Sequence, residues 1–187
     1  QLSFDFDLTG QRKAKQKANL NVKIEQINEL KVSTKDPRVI ISKKAGRKMD
    51  YIIDTVSTEV GWLGTVDKSV EDGGDVYTIT DVFVPEQLVA AATCEIKSPG
   101  RSQLAMDLLK KYGDEEGEKL INSLQFWGHS HVNMGVSPSG QDDNMILEFK
   151  TRDFFIRGIF NKKGDIKMDI YDFKNNIKYL DVNPEFE

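Results

Sequence analysis

The sequence predicts an α/β domain, and three observations carry that expectation. Short apolar runs rich in Val, Ile, Phe and Tyr recur along the chain, with helically spaced stretches between them. Glycine-bearing polar segments, "EDGGD" and "NKKGD", fall where strands have to reverse. The chain has 187 residues, 39% hydrophobic and 30% charged, enough to bury one substantial core.

Taken in order, residues 1–36 read as an N-terminal extension and 37–187 as the main domain. Arg12, Lys13, Lys15 and Lys17 cluster in the extension, a charge run whose ordinary meaning is a solvated face. Leu20, Ile24, Ile27 and Leu30 suit a helix face, whereas Leu20, Val22 and Ile24 suit a strand, so both remain open. Pro37 closes this extension. "RVIIS" (38–42) is expected as a strand. "KKAGRKMDYIIDTVST" (43–58) is expected as an amphipathic helix, because Ala45, Met49, Ile52, Ile53 and Val56 share a face. "EVGWLGTV" (59–66) and "DVYTITDVFVP" (75–85) read as an antiparallel pair turned by "EDGGD". A helix over 101–113 ends at a glycine, and "EEGEKLINSL" continues as a second helical piece. "QFWGHSH" (125–131) is a strand and "SGQDDNMILEFK" opens a short helix. Three strands follow, "DFFIRGIF", "DIKMDIYDF" and "IKYLDV", the first two joined by "NKKGD".

Composition excludes several classes. No apolar run approaches the roughly 20 residues that span a bilayer, so no membrane partner is expected. The net charge of −4 gives no global drive toward nucleic acid. A single cysteine, Cys94, rules out an internal disulfide and a multi-cysteine metal site, and reads as a small buried apolar residue. With no secretory signal pattern visible, a cytoplasmic location is expected.

The only two histidines, His129 and His131, stand one residue apart. On a strand, residues two apart face one side with Cα atoms roughly 6.5–7 Å apart. Imidazoles at that spacing can reach one ion at bonds of about 2.0–2.1 Å. Asp142 is the candidate third ligand, leaving a fourth tetrahedral position for water, the feature of a catalytic zinc site. Ser139 and Asp142 also form the S-x-x-D spacing of a helix cap, and one aspartate can serve both purposes. A zinc-activated water needs a base that is not a ligand. Glu59, opening an apolar strand, is a candidate for it; an exposed acid at a strand start is the plain alternative.

Together these residues resemble the JAMM, or MPN+, metalloprotease family, whose motif is an early-strand Glu, then H-[ST]-H, then S-x-x-D. The match is Glu59, His129-Ser130-His131 and Ser139-Gly140-Gln141-Asp142, and the likeness covers residues 37–182. It implies a curved, mixed, mainly antiparallel sheet flanked by helices, similar to cytidine deaminases. It implies one zinc ion with a bound water on His129, His131 and Asp142, Glu59 as general base and then acid, and Ser139 stabilising the oxyanion. An oxyanion donor contributes on the order of 3 kcal/mol in comparable sites. The implied reaction is cleavage of a peptide or isopeptide bond, at the C-terminus of a ubiquitin-like or sulfur-carrier-like protein. An activating protein partner is a further implication.

Two features depart from the family. Val132 stands where many members have proline, and the segment after Asp142 is short where eukaryotic deubiquitinating relatives carry an insertion. Alternatives within the resemblance are a phage-tail-type cell-wall peptidase, a non-catalytic MPN scaffold and a RadC-like DNA-associated protein. The zinc deaminase signature, H-x-E with P-C-x-x-C, is absent. "EDGG" and "KSPGRS" read either as loops beside the cleft or as ordinary connections. Trp62 and Trp127 read as core, Ser130 as facing away from the histidines, Ser137 as a loop residue and Asp143 as first-turn charge on the helix dipole. Glu95 and Glu148 are weaker candidates for the base.

Overall fold

The computed structural model describes residues 29–32, 37–90, 93–96 and 98–187. The basic cluster Arg12 to Lys17 and the ambiguous stretch 20–27 lie outside the described residues, as do the side chains of Cys94 and Glu95. The strands are β1 (Lys31–Val32), β2 (Arg38–Ile41), β3 (Val60–Glu71), β4 (Gly74–Phe83), β5 (Leu88–Ala90) and β6 (Thr93–Glu95). They continue as β7 (Leu124–Ser130), β8 (Phe154–Phe160), β9 (Ile166–Asp172), β10 (Ile177–Tyr179) and β11 (Pro184–Phe186). The helices are α1 (Lys43–Thr55), α2 (Ser98–Tyr112), α3 (Asp114–Ser123) and α4 (Gly140–Leu147).

The architecture is α/β, built on a curled mixed sheet of nine strands in the order β1-β10-β9-β8-β7-β3-β4-β2-β11. β5 and β6 form a separate hairpin. The longest ladders, β3–β4, β8–β9 and β3–β7, are antiparallel. The pairings β1–β10, β7–β8, β2–β4 and β2–β11 are parallel, so antiparallel character dominates by ladder length rather than by number of pairings.

Local chemistry explains these elements. β3 and β4 reverse through Asp72–Gly73, both at positive φ (49° and 75°), as a two-residue hairpin turn demands. Ser42 caps α1, its hydroxyl accepting the Ala45 amide at 3.2 Å. Ala45, Met49 and Ile53 then bury one stripe against Val39, Ile41, Trp62 and Ile79. α1 stops at Thr55, before the expected end, where Thr55 and Val56 are β-branched. The opposite sheet face carries Leu63, Trp127, Phe155 and Tyr171, covered by Leu104 and Leu108 of α2 and by Met145, Ile146 and Leu147 of α4. The structure is therefore helix, sheet, helices.

Several elements differ from expectation. α2 begins at Ser98, so "KSPGRS" is largely helix rather than loop. β5, β6 and β11 had no distinct sequence pattern, being three residues each. Part of the extension joins the sheet, with β1 against β10 and Leu30 buried. Among the described residues no helix is long and apolar enough to cross a membrane.

Candidate metal centre

β7 delivers His129 opposite Gly61 of β3 and beside Ile159 of β8. The chain stays extended to His131, whose amide donates to the Phe160 carbonyl at 2.8 Å. The two imidazoles therefore project from one face. α4 brings Asp142 over them. His129 Nε2 lies 3.0 Å from His131 Nε2 and 3.3 Å from Asp142 Oδ1. One donor atom from each of the three buried residues falls within 4.8 Å of the others. Ligands held at 2.0–2.1 Å around a tetrahedral ion stand roughly 3.3–3.4 Å apart. The separations of 3.0 and 3.3 Å are close to that spacing, and with the third pair inside 4.8 Å the group could hold a metal ion.

Protonation fits as well. His131 Nδ1 sits 2.6 Å from the Gly135 carbonyl, which can only accept, so Nδ1 carries the hydrogen and Nε2 presents its lone pair. His129 is 1% exposed and stacked on Trp127, with centroids 4.5 Å apart. Burial pushes its pKa down to about 4; the Asp142 carboxylate opposes this, while His131 and Arg157 add to it. His129 is thus neutral at pH 7, the state a ligand requires. Its Nδ1 has no hydrogen-bond partner among the described residues; in the tautomer with the hydrogen there, Nε2 is free for the cluster. A proton on Nε2 would satisfy one neighbour, whereas a divalent ion satisfies all three donors together.

Asp142 caps the helix and also faces the imidazoles. One oxygen, Oδ2, accepts the Ser139 amide at 2.5 Å, while Oδ1 faces His129. Ser139 is the N-cap of α4, and its hydroxyl accepts the Asp142 amide in a reciprocal capping box. That bond uses an oxygen lone pair and leaves the hydroxyl hydrogen free to donate.

Glu59 lies just ahead of β3 and is 5% exposed, so the exposed-acid reading does not hold. Burial raises its carboxyl pKa; the nearby His131 opposes the rise and Asp142 reinforces it. The carboxyl therefore senses two of the three donors. Its strand is held where β4 has ended: Gln87 accepts the Gly61 amide at 2.7 Å and donates to the Gly61 carbonyl at 2.9 Å.

Other expectations resolve plainly. The "EDGG" turn is an ordinary connection. Val60 pairs with Ser130, so the cluster lies at the opposite end of 12-residue β3, about 36 Å along the strand. Ser130 Oγ accepts the Val132 amide and takes no part in the cluster. Glu148 pairs with Arg101 at 2.5 Å. Trp62 and Trp127 are core, and Trp127 is also the wall behind His129. Val132 has φ 52°, an unusual value for a β-branched residue and one closed to proline.

Sequence reasoning missed Gln87, the Gly135 carbonyl and Arg157. Backbone acceptors leave no trace in a sequence, and Gln87 lies beyond the strand expected over 75–85. Arg157 did have a signal, a lone charge inside the apolar run "FFIRGIF" (154–160). No protein-family model matches this chain, and no curated protein matches it.

Proposed function

We propose that this protein is a zinc-dependent hydrolase of peptide or isopeptide bonds, of the JAMM type. The reading follows from the convergence of His129, His131 and Asp142 beside a buried Glu59. Zinc, held by those three side chains, would supply Lewis acidity and lower the pKa of water to about 7. The other duties belong to the chain. Glu59, its pKa raised by burial, takes a proton from the attacking water and returns it to the leaving amine. Ser139 directs its uncommitted hydroxyl hydrogen at the oxyanion. Trp127 and the Gly135 carbonyl fix the two rings so that both Nε2 atoms stay aimed at one point. The substrate class carried by the resemblance is the C-terminal linkage of a ubiquitin-like or sulfur-carrier-like protein. A buried neutral histidine next to two buried carboxyls weighs against a scaffold that has lost its ligands.

The test is metal content and turnover on a panel of ubiquitin-like fusions, isopeptide conjugates and cell-wall peptides. Glu59→Gln is expected to keep zinc and lose about 10²–10⁴ in turnover, the usual share of acid–base catalysis. His131→Ala is expected to lose both. Undiminished turnover by Glu59→Gln on every cleaved substrate would remove Glu59 from the mechanism, and cleavage confined to cell-wall peptides would move the substrate class.

A further inference from the structure

Beneath α4 lies a buried cation that the chemistry above does not use. Arg157 stands in β8 opposite Trp127 of β7 and Asp169 of β9, so it shares the sheet face of His129. Its side chain is 4% exposed. Nη1 donates to Asp143 Oδ1 at 2.8 Å, and Nη2 donates to Asp169 Oδ2 at 2.5 Å. Asp169 is itself fixed, its other oxygen accepting the Asp181 amide at 3.0 Å. The guanidinium carbon lies 5.5 Å from the Tyr171 ring centroid. One arm of a rigid fork is therefore anchored in the sheet, and the other holds the residue that follows Asp142.

α4 needs such a hold. It has eight residues, well short of the roughly 12–15 at which an isolated helix becomes even marginally stable. Its apolar residues Met145, Ile146 and Leu147 bury area, but burial is non-directional and permits sliding over the sheet. The capping box fixes the helix start to itself rather than to β7. Among the described residues, and apart from the contact of Asp142 with His129, the Arg157 fork joins the first turn of α4 to strands in register with the histidines by a directional, charge-assisted contact. The charge balance also suits a cation site. A bare guanidinium near the cluster would repel a divalent ion, but Asp143 and Asp169 together outweigh its charge.

We propose that Arg157 and Asp143 form a positioning clamp that sets Asp142 against the two imidazoles and so tunes the metal affinity of the centre. This rests on the reading that His129, His131 and Asp142 hold a metal ion. Asp143 thus does more than complement the helix dipole.

The test compares wild type, Asp143→Ala and Arg157→Lys as full chains. It measures zinc affinity by competition with a chromophoric chelator, the visible spectrum of the cobalt-loaded protein, and thermal unfolding of the metal-free protein. Asp143 is 37% exposed, but its loss leaves one arm of the buried guanidinium without that partner, so Asp143→Ala is expected to fold and to unfold at a modestly lower temperature when metal-free. Its zinc affinity is expected to fall about 10–100-fold, the usual cost of losing an outer-shell partner, with an altered cobalt spectrum. Arg157→Lys keeps the charge but loses the fork, and is expected to lose affinity by a similar factor. Zinc affinity of Asp143→Ala within twofold of wild type, with an unchanged cobalt spectrum, overturns the clamp even if Arg157→Lys fails to fold. Wild type that binds no zinc overturns the metal reading itself, a separate result.

Discussion

Gly128 is where the fold and the site are most tightly joined. It precedes His129 on β7 and lies opposite Trp62 of β3, whose indole covers it. A Cβ at this position would stand 2.2 Å from Trp62 Nε1 and 2.5 Å from Cε2. Ordinary carbon contacts are about 3.5–4.0 Å, so the indole or the strand has to retreat by roughly 1.3 Å or more. The ring has nowhere to go. It has no exposed surface and packs on Phe160, centroids 5.6 Å apart. Overpacking costs about 1–3 kcal/mol, and a rigid, enclosed ring puts Gly128→Ala at the upper end. At about 2–4 °C per kcal/mol for a chain of this size, the expected fall in Tm is about 6–12 °C. Circular dichroism measures the unfolding, and near-ultraviolet ellipticity reports the indole. Gly140→Ala is the control: its Cβ would meet nothing within 4 Å, and as the first residue of α4 it is expected to stabilise by a few tenths to 1 kcal/mol. A Gly128→Ala protein melting within 2 °C of wild type, with an unchanged near-ultraviolet spectrum, would refute the packing argument.

Two further outcomes follow from the site. Val132→Pro introduces the residue that many members of the JAMM family carry, yet it is expected to destabilise the protein and weaken metal binding, because φ here is 52° and the Val132 amide is bonded to Ser130 Oγ; equal stability and affinity in unfolding and zinc titration would contradict this. Glu59→Gln is expected to stabilise the metal-free protein at pH 7. The folded carboxyl pKa is raised above its ordinary 4.5, so the folded state binds the proton more tightly, and stability falls as pH rises from about 4.5 through the raised folded value. The gain from Glu59→Gln should therefore vanish below about pH 4, as urea unfolding across the pH range would check.

Much of this was legible in the sequence, because the informative residues were rare types at fixed spacings. Two histidines at i and i+2 on an apolar strand have to share a face, and S-x-x-D locates both a helix start and a carboxylate. The β3–β4 hairpin was readable because Asp72–Gly73 tolerates positive φ at both positions. What was not legible depended on contacts far apart in the chain. The parallel pairing of β11 with β2 joins residues 184–186 to 39–41, and no local pattern encodes a partner so distant. The burial of Glu59 follows from the strands around it, not from its own neighbours. Val132 shows the opposite limit: its departure from the family pattern was visible, but the left-handed backbone that accommodates it was not. Arg157 was visible as an oddity, while its meaning required the register of β7, β8 and β9.

The proposal that two imidazoles and one carboxylate grip a single metal ion is tested most directly by metal binding. Full-length protein stripped with chelator, then titrated with zinc and separately with cobalt, is expected to take up one ion per chain. The cobalt form should show the intense visible bands of a four-coordinate site, and Asp142→Ala and His129→Ala should each abolish high-affinity uptake. Folded protein that takes up no zinc, or that binds it equally well without His129, His131 and Asp142, would rule out this metal centre.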